Sequence, residues 1–527
     1  MRPLGRFPAL GLLLLVAFSA DGQSFLEWKG LKAGPYGVGF RAVATTDATR
    51  TWRTPTDFRG RPRPAFGNRP VQVSIWYPTE AASVATAMTY GDYVDLLAWE
   101  TGPPTSGTEV RKTAREQFQR MSGLPVTAEG TTAFERLYQE RVRAARDARP
   151  APGRFPVLIS APGQGYPAFD NSVMSEFLAS HGFIVIASPS MGPDGRDMPD
   201  SPLAIDSESR DLEFLAGFVQ TLPQADPDRV AAIGFSLGGA PAALFALRNA
   251  RVKALVSLDG VLRDDRYLKT LSAFPGFRPE QLRAALLWIA CSPANSLPGF
   301  EEGSFPEAAR HADLTRAVFP GLLHHDLSSM SSLQRRRAQD AGKDWTSATV
   351  GYEAACRLIL AFLESRLNGV ERKLDGEPET VCKVTGRPAR KAPPTPADFR
   401  EVAATEGLGA AAQLLRGVRK EFPEALPSFE ETAVLFGYET LAAGDAKLAI
   451  QAFRLAVECF PDSIDGSWGL GKACLAEGSL EEAASSYGVA RTKVEKSPVL
   501  SAEQKTGILT RVDKILADIA AKREGKP

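Results

Sequence analysis

GFSLGG, residues 234–239, decides how the rest of the chain is read. The apolar run RVAAI leads into Gly234, and the small-residue stretch APAAL follows Gly239. The pattern G-x-S-x-G is weak by itself: with 46 glycines in 527 residues it arises by chance in roughly one such chain in four. Its setting is more specific. A strand that turns sharply into a helix strains the backbone at the serine and brings the residues two before and two after it together. Gly234 and Gly238 are small enough for that approach, and Pro241 suits a first helical turn. The amides that open the helix then face any negative charge developing beside the serine. These features predict a nucleophile elbow with Ser236 at its tip.

The flanks support a sheet that could carry such an elbow. FPVLIS (155–160), FIVIASPS (183–190), RVAAIGFS (229–236), VKALVSLD (252–259) and ALLWIACS (285–292) are apolar runs of strand length. Helical stretches lie between them: VMSEFLASHG (173–182) and DLEFLAGFVQTL (211–222). Strands apolar throughout, alternating with helices, indicate a mostly parallel sheet with helices on both faces. VQVSIWYP (71–78) alternates like a half-buried strand. Residues 80–150 read as a partly helical excursion, with helical spacing in FERLYQERVRAARDAR (134–149). GYEAACRLILAFLESRL (351–367) is an amphipathic helix that closes the domain.

A serine hydroxyl is a weak nucleophile and needs a base. The chain has four histidines. His181 sits between helix and strand, where a structural role is the better reading, and His311 falls in a polar helix, AARHADL. His324 and His325 follow the strand-like RAVFPGLL and precede the final helix, the place for a base. A metal site at His324, His325 and Asp326 is disfavoured, because adjacent side chains point apart and no second cluster completes it. For the carboxylate that orients the base, the strand ALLWIACS offers no acid until Glu301. VSLDG instead presents Asp259 at a strand's C-terminal tip, the edge where sites in such sheets gather. Asp264 and Asp265 read as loop charges.

At 527 residues the chain needs more than one domain. Basic and acidic residues balance at 62 each, which gives no electrostatic reason to expect nucleic acid or an acidic membrane as partner. Arg2, Arg6 and the apolar LGLLLLVAF (10–18) read as an export signal, residues 1–22. The apolar run is shorter than the ~20 residues that span a bilayer, so no transmembrane segment is expected. Small residues follow, and a cut after Gly22 leaves Ala20 at the third position before it. The five cysteines form no close pairs, so neither a zinc site nor a disulfide framework is implied.

Past the final helix, residues 370–400 become polar and proline-rich (GRPARKAPPTPADF) and read as a linker, with the sheet domain that carries Ser236 spanning 23–369. Residues 401–527 then repeat. Gly437, Gly444, Ala449, Phe453 and Ala456 recur 34 residues later as Gly471, Gly478, Ala483, Tyr487 and Ala490. That is the period of tetratricopeptide helix pairs. A degenerate unit is placed at 400–430 and a capping helix near 504–522.

VSIWYP, the PGQG turn after FPVLIS, GFSLGG, VSLDG and HHDLSS stand in the order found in the platelet-activating-factor acetylhydrolase-like branch of the α/β-hydrolases, which residues 35–368 resemble. That branch carries its acid on the strand after the nucleophile helix, and here Asp259 lies 23 residues beyond Ser236. The resemblance makes His324 the base, with Leu327 in place of the family's aromatic. It puts oxyanion donors at the backbone N–H groups of Gln164 and Leu237. Pro162 departs from the histidine often found before Gly163. The implied activity is hydrolysis of a small-molecule or lipid carboxylic ester through an acyl-enzyme, without cofactor or metal. Two other readings stay open. One is an inactive hydrolase-fold scaffold whose repeats bind a partner protein. The other is a different serine hydrolase such as a peptidase; a dienelactone-type enzyme usually has a cysteine where Ser236 stands.

Overall fold

Runs that are apolar at every position become the middle of one sheet. The computed structural model describes residues 28–52, 67–80, 86–100, 108–121, 127–263, 265–274, 276–291, 304–338 and 344–524. The expected export signal lies outside them. The chain divides into two compact units, with the boundary between Arg390 and Lys391.

The described strands of the first unit are β1 (Gly37–Trp52), β2 (Gly67–Thr79), β3 (Thr86–Thr89), β4 (Arg141–Arg146), β5 (Phe155–Ala161), β6 (Ile184–Ala187), β7 (Ala225–Phe235), β8 (Val252–Leu258), β9 (Ala285–Cys291), β10 (Leu314–Phe319) and β11 (Lys383–Arg387). They form one sheet in the order β11-β10-β9-β8-β7-β5-β6-β2-β1-β4-β3. The run from β6 to β10 is parallel throughout. The two-residue period of a strand sends alternate side chains to two cores. On β9, Leu287 and Ile289 join one core and Leu286 and Trp288 the other. Helices Ser172–Ser180 and Thr346–Leu367 cover the first face, and Pro202–Val219 and Gly239–Arg248 the second. The doubly covered, mostly parallel sheet expected from the sequence is therefore present. From β5 the chain steps one way to β6 and then back to the other side through β7. This reversal opens a crevice beyond the C-terminal ends of β5 and β7, where sites in such sheets form.

Two expectations need correction. The helical spacing read over 134–149 holds only to Gln139. Arg141–Arg146 is strand β4, parallel to β1 and antiparallel to β3. Pairing along a waiting sheet edge outweighs the helix propensity that Arg and Ala give RVRAAR. The 370–400 stretch is not linker throughout either. Within it β11 pairs antiparallel with β10, and Cys382 is buried beside the strand. A five-residue edge strand has too little pattern to stand out among prolines.

The second unit is helical. Its described α-helices are Pro396–Thr405, Leu408–Glu421, Glu430–Ala442, Ala446–Cys459, Ile464–Glu477, Leu480–Lys496 and Ala502–Arg523. Glu430 and Ile464 open the first helices of two pairs, and Ala446 and Leu480 the second helices, an offset of 34 in both cases. The pairs pack alike. A Cβ on Gly437 would stand 2.8 Å from the Phe453 ring, and one on Gly471 would stand 2.8 Å from the Tyr487 ring. In each pair the missing side chain makes room for the aromatic.

Among the described residues no helix is long and apolar enough to cross a membrane. All five cysteines are buried free thiols.

Candidate active site

β7 ends at Phe235 in extended geometry, and the next residue, Ser236, has φ +55°. A non-glycine residue in this left-handed region is strained and is held there by its surroundings. A short 3-10 turn, Ser236–Gly238, then leads into the helix Gly239–Arg248. The two glycines make the turn possible. A Cβ on Gly234 would lie 2.2 Å from the carbonyl oxygen of Gly238, and one on Gly238 would lie 2.3 Å from that of Pro162. Both obstacles are backbone, so no side chain can move aside.

Ser236 is partly exposed at the tip of this elbow. Its Oγ lies 2.9 Å from Nε2 of His324, and Nδ1 of His324 lies 2.6 Å from Oδ2 of Asp259. The three residues lie in the connections that follow β7, β8 and β10. The Asp259 side chain has no exposed surface, whereas the His324 ring keeps 29% of its own. The Phe235 ring stacks on His324 with centroids 5.0 Å apart and steadies the imidazole plane.

Asp259 has φ +45°, and its N–H donates to the Ile289 carbonyl at 2.8 Å. Its Oδ1 accepts from the Cys291 N–H at 3.2 Å and from Nη1 of Arg263. Burial pushes its carboxyl up. The His324 hydrogen bond, the Arg263 charge and the Cys291 N–H outweigh that, and hold it below the usual carboxylate range.

The turn after β5 is fixed on several sides. Gly163 N–H donates to Oδ2 of Asp170 at 3.1 Å, and its carbonyl accepts the Tyr166 N–H at 2.9 Å. The Gln164 side chain donates to the Met198 carbonyl at 2.8 Å, and Ser190 N–H donates to the Tyr166 carbonyl at 2.9 Å. Arg196 reaches the Gly165 carbonyl at 3.3 Å. The same guanidinium pairs with buried Glu100 and contacts Sδ of Met121 at 3.6 Å, so the excursion meets this turn through Arg196. Gln164 is exposed and Leu237 is buried at the elbow.

The remaining histidines are not part of the hydrogen-bonded run from Ser236 to Asp259. His325 is exposed, its ring edge-on to His324 at 5.4 Å. Asp326 is buried and accepts the Leu323 N–H at 2.8 Å, so it folds the loop that carries His324. His181 ends its helix, with Nε2 3.2 Å from the Lys32 carbonyl. His311 follows the short helix Phe305–Ala308 rather than lying in one; its Nδ1 is 3.2 Å from the Arg390 carbonyl. Among the described residues no group of three potential metal ligands converges.

Sequence reasoning missed Arg263, Asp170 and Arg196. For Arg263 a signal existed, since it lies four residues after Asp259, but VSLDGVLRDD offers acids and bases alike. Nothing in the sequence marks the other two.

The arrangement can move a proton from a hydroxyl to an imidazole whose far nitrogen is held by a buried carboxylate. It does so at the N-terminus of a helix, whose partial positive charge favours an anion.

Residues 151–382 match the model of the alpha/beta hydrolase family, a span that contains Gln164, Ser236, Asp259 and His324. Among solved structures, a ferulic acid esterase from Streptomyces cinnamoneus is similar at 18% identity and a TM-score of 0.44, over 66% of this chain and 96% of that one. No curated protein matches the chain. The strand order, the turn at Ser236 and the family match make the first unit an α/β-hydrolase domain.

Proposed function

We propose that the chain is an exported serine hydrolase that cleaves a carboxylic ester through an acyl-enzyme on Ser236. The observation that carries this reading is the hydrogen-bonded run from Ser236 Oγ through His324 to Asp259. In the first step His324 Nε2 takes the hydroxyl proton as Oγ attacks the ester carbonyl. Asp259 keeps the imidazole in the tautomer that presents Nε2 as acceptor, and stabilises its cation. The N–H groups of Gln164 and Leu237 receive the negative charge on the carbonyl oxygen. The imidazolium then returns its proton to the leaving alcohol. Water, activated by the same histidine, releases the acid. Every group needed comes from the chain, and the reaction calls for no cofactor.

The acid on the strand after the nucleophile helix favours the acetylhydrolase-like branch over hydrolases that carry it one strand later. The 34-residue offset of the helix pairs favours a tetratricopeptide-type repeat in 391–527, a module suited to a protein partner.

A panel of p-nitrophenyl esters of increasing acyl length tests the activity, with Ser236→Ala as control. Loss of the serine should lower turnover by about 10⁴ to 10⁶ while thermal unfolding stays unchanged. A variant that keeps more than a tenth of wild-type activity would exclude Ser236 as nucleophile.

A further inference from the structure

Asp170 is 2% exposed and lies in the loop between β5 and the helix Ser172–Ser180. Its two carboxylate oxygens serve two different parts of the site. Oδ2 accepts the Gly163 N–H at 3.1 Å, in the turn that carries Gln164. Oδ1 accepts the Ser328 hydroxyl, four residues beyond His324. The carbonyl of Asp170 also accepts from the Met330 N–H at 3.0 Å and the Ser329 hydroxyl at 3.2 Å. Asn171 repeats the link: its Nδ2 donates to the Leu327 carbonyl at 2.9 Å, and its Oδ1 accepts the Ser329 N–H at 2.9 Å.

A packing role would not need a carboxylate here. Burying an acid is costly, and a neutral side chain of the same shape would cost less. An amide meets both partners only if the Ser328 hydroxyl, which already accepts the Ser331 N–H at 3.1 Å, turns round to accept a second donor. The Gly163 N–H is a fixed donor, and an acceptor-only group satisfies it together with Ser328. We propose that Asp170 is a positioning residue that holds the oxyanion turn and the histidine loop in one register. This inference rests on the ester-hydrolase reading given above. Fixing the Gly163 N–H sets the peptide before Gly163. The Tyr166 N–H on the Gly163 carbonyl sets the next peptide, whose N–H is that of Gln164 and points the opposite way. The same carboxylate, through Ser328, anchors the segment that ends the His324 loop. The direction of the oxyanion donor and the reach of His324 to Ser236 thus depend on one group.

The titratable groups facing Asp170 are His324, Tyr90, Tyr166 and Tyr352. Burial pushes all three phenols up, so they stay neutral at working pH. Burial pushes the Asp170 carboxyl up to about 6, against the pull of Ser328, Gly163 and His324. Its ionisation therefore falls on the acid limb of activity.

The test uses Asp170→Asn and Ser328→Ala in the full chain, assayed with p-nitrophenyl acetate between pH 5 and 9. Hydrogen exchange over residues 163–166 and 324–330 is followed in parallel. Asp170→Asn should lower kcat about 100-fold, the scale of a misdirected oxyanion donor, with KM within about threefold of wild type. Its acid limb should become shallower, because one ionisation is gone. Ser328→Ala should lower kcat about tenfold, and the double variant should be no worse than Asp170→Asn alone, as for residues acting as one unit. Both segments should exchange faster together in each variant. If Asp170→Asn does not fold, Ser328→Ala decides. Wild-type kcat with unchanged exchange, or loosening of one segment alone, overturns the proposal. Joint loosening in a protein whose wild type shows no Ser236-dependent hydrolysis would uphold the positioning role and remove the ester-hydrolase reading instead.

Discussion

Arg263 holds Asp259 on the carboxylate oxygen that His324 leaves free. Its Nη1 and the Cys291 N–H share Oδ1, while Oδ2 takes the imidazole. Both partners are buried, with side-chain exposures of 8% and 0%. A carboxylate so enclosed would be driven toward its neutral form if the cation were absent.

Replacing Arg263 by Met should therefore raise the Asp259 carboxyl from its lowered position. A lowered carboxyl keeps its charge across the pH range in which the base works, so its own protonation does not shape the wild-type acid limb. In the variant the charge is lost earlier on acidification, and the acid limb of kcat/KM should move to higher pH by about one unit or more. Stability should fall by about 3–5 kcal/mol, as for one partner removed from a buried pair. A pH–rate profile with an unmoved acid limb would show that Arg263 does not act on Asp259.

The two adjacent histidines should separate cleanly. His324→Ala removes the group that touches both Ser236 and Asp259, and turnover should fall about 10⁴-fold or more. His325→Ala removes an exposed ring set edge-on to His324, and should stay within tenfold of wild type. Steady-state assays of the two variants check this. A dead His325→Ala beside an active His324→Ala would shift the base by one residue.

The sequence marks what depends on short, local patterns. Ser236 stands where an apolar strand breaks into small residues, and Asp259 stands where the next apolar strand ends. His324 is visible because histidines are few and this one follows the last parallel strand. What it hides depends on partners far along the chain. Asp170 meets Ser328 across 158 residues, and neither segment has a pattern that announces the other. β4 looks like the end of a helix because Arg and Ala favour one locally; pairing with β1 on one side and β3 on the other makes it a strand. β11 lies in a proline-rich stretch, and only the exposed edge of β10 gives it a partner. Elbow geometry is thus legible locally, whereas edge strands and long-range buried hydrogen bonds arise from tertiary contact.

Gly238→Ala should be far more damaging than its size suggests. The new methyl would stand 2.3 Å from the Pro162 carbonyl oxygen and 2.5 Å from that of Ala161. Relief requires moving the end of β5, which feeds the turn carrying Gln164. We expect a loss of about 2–3 kcal/mol and of most activity. Gly217→Ala is the contrasting case. That glycine lies in the helix Pro202–Val219 with nothing within 4 Å of the added methyl, so it should gain about 0.5–1 kcal/mol. Urea unfolding of both variants checks the pair, and equal effects would contradict the close approach at the elbow.

Truncation should depend sharply on where the chain is cut. A protein ending at Arg390 keeps β11, the burial of Cys382 and the Arg357–Glu377 pair at 2.7 Å. A protein ending at Gly369 loses all three and leaves β10 as an open edge. β10 runs into the loop that carries His324, so the loss reaches the site as well as the edge. Unpaired edges also invite association between chains. We expect the 390-residue form to hydrolyse short esters within about threefold of the full chain, and the shorter form to aggregate or lose at least tenfold. The helical unit has its own core around Phe453, Leu415 and Tyr487, and residues 391–527 should fold alone. Size exclusion, circular dichroism and ester assays measure these outcomes. A folded, monomeric 390-residue form without activity would mean that the helical unit completes the active site.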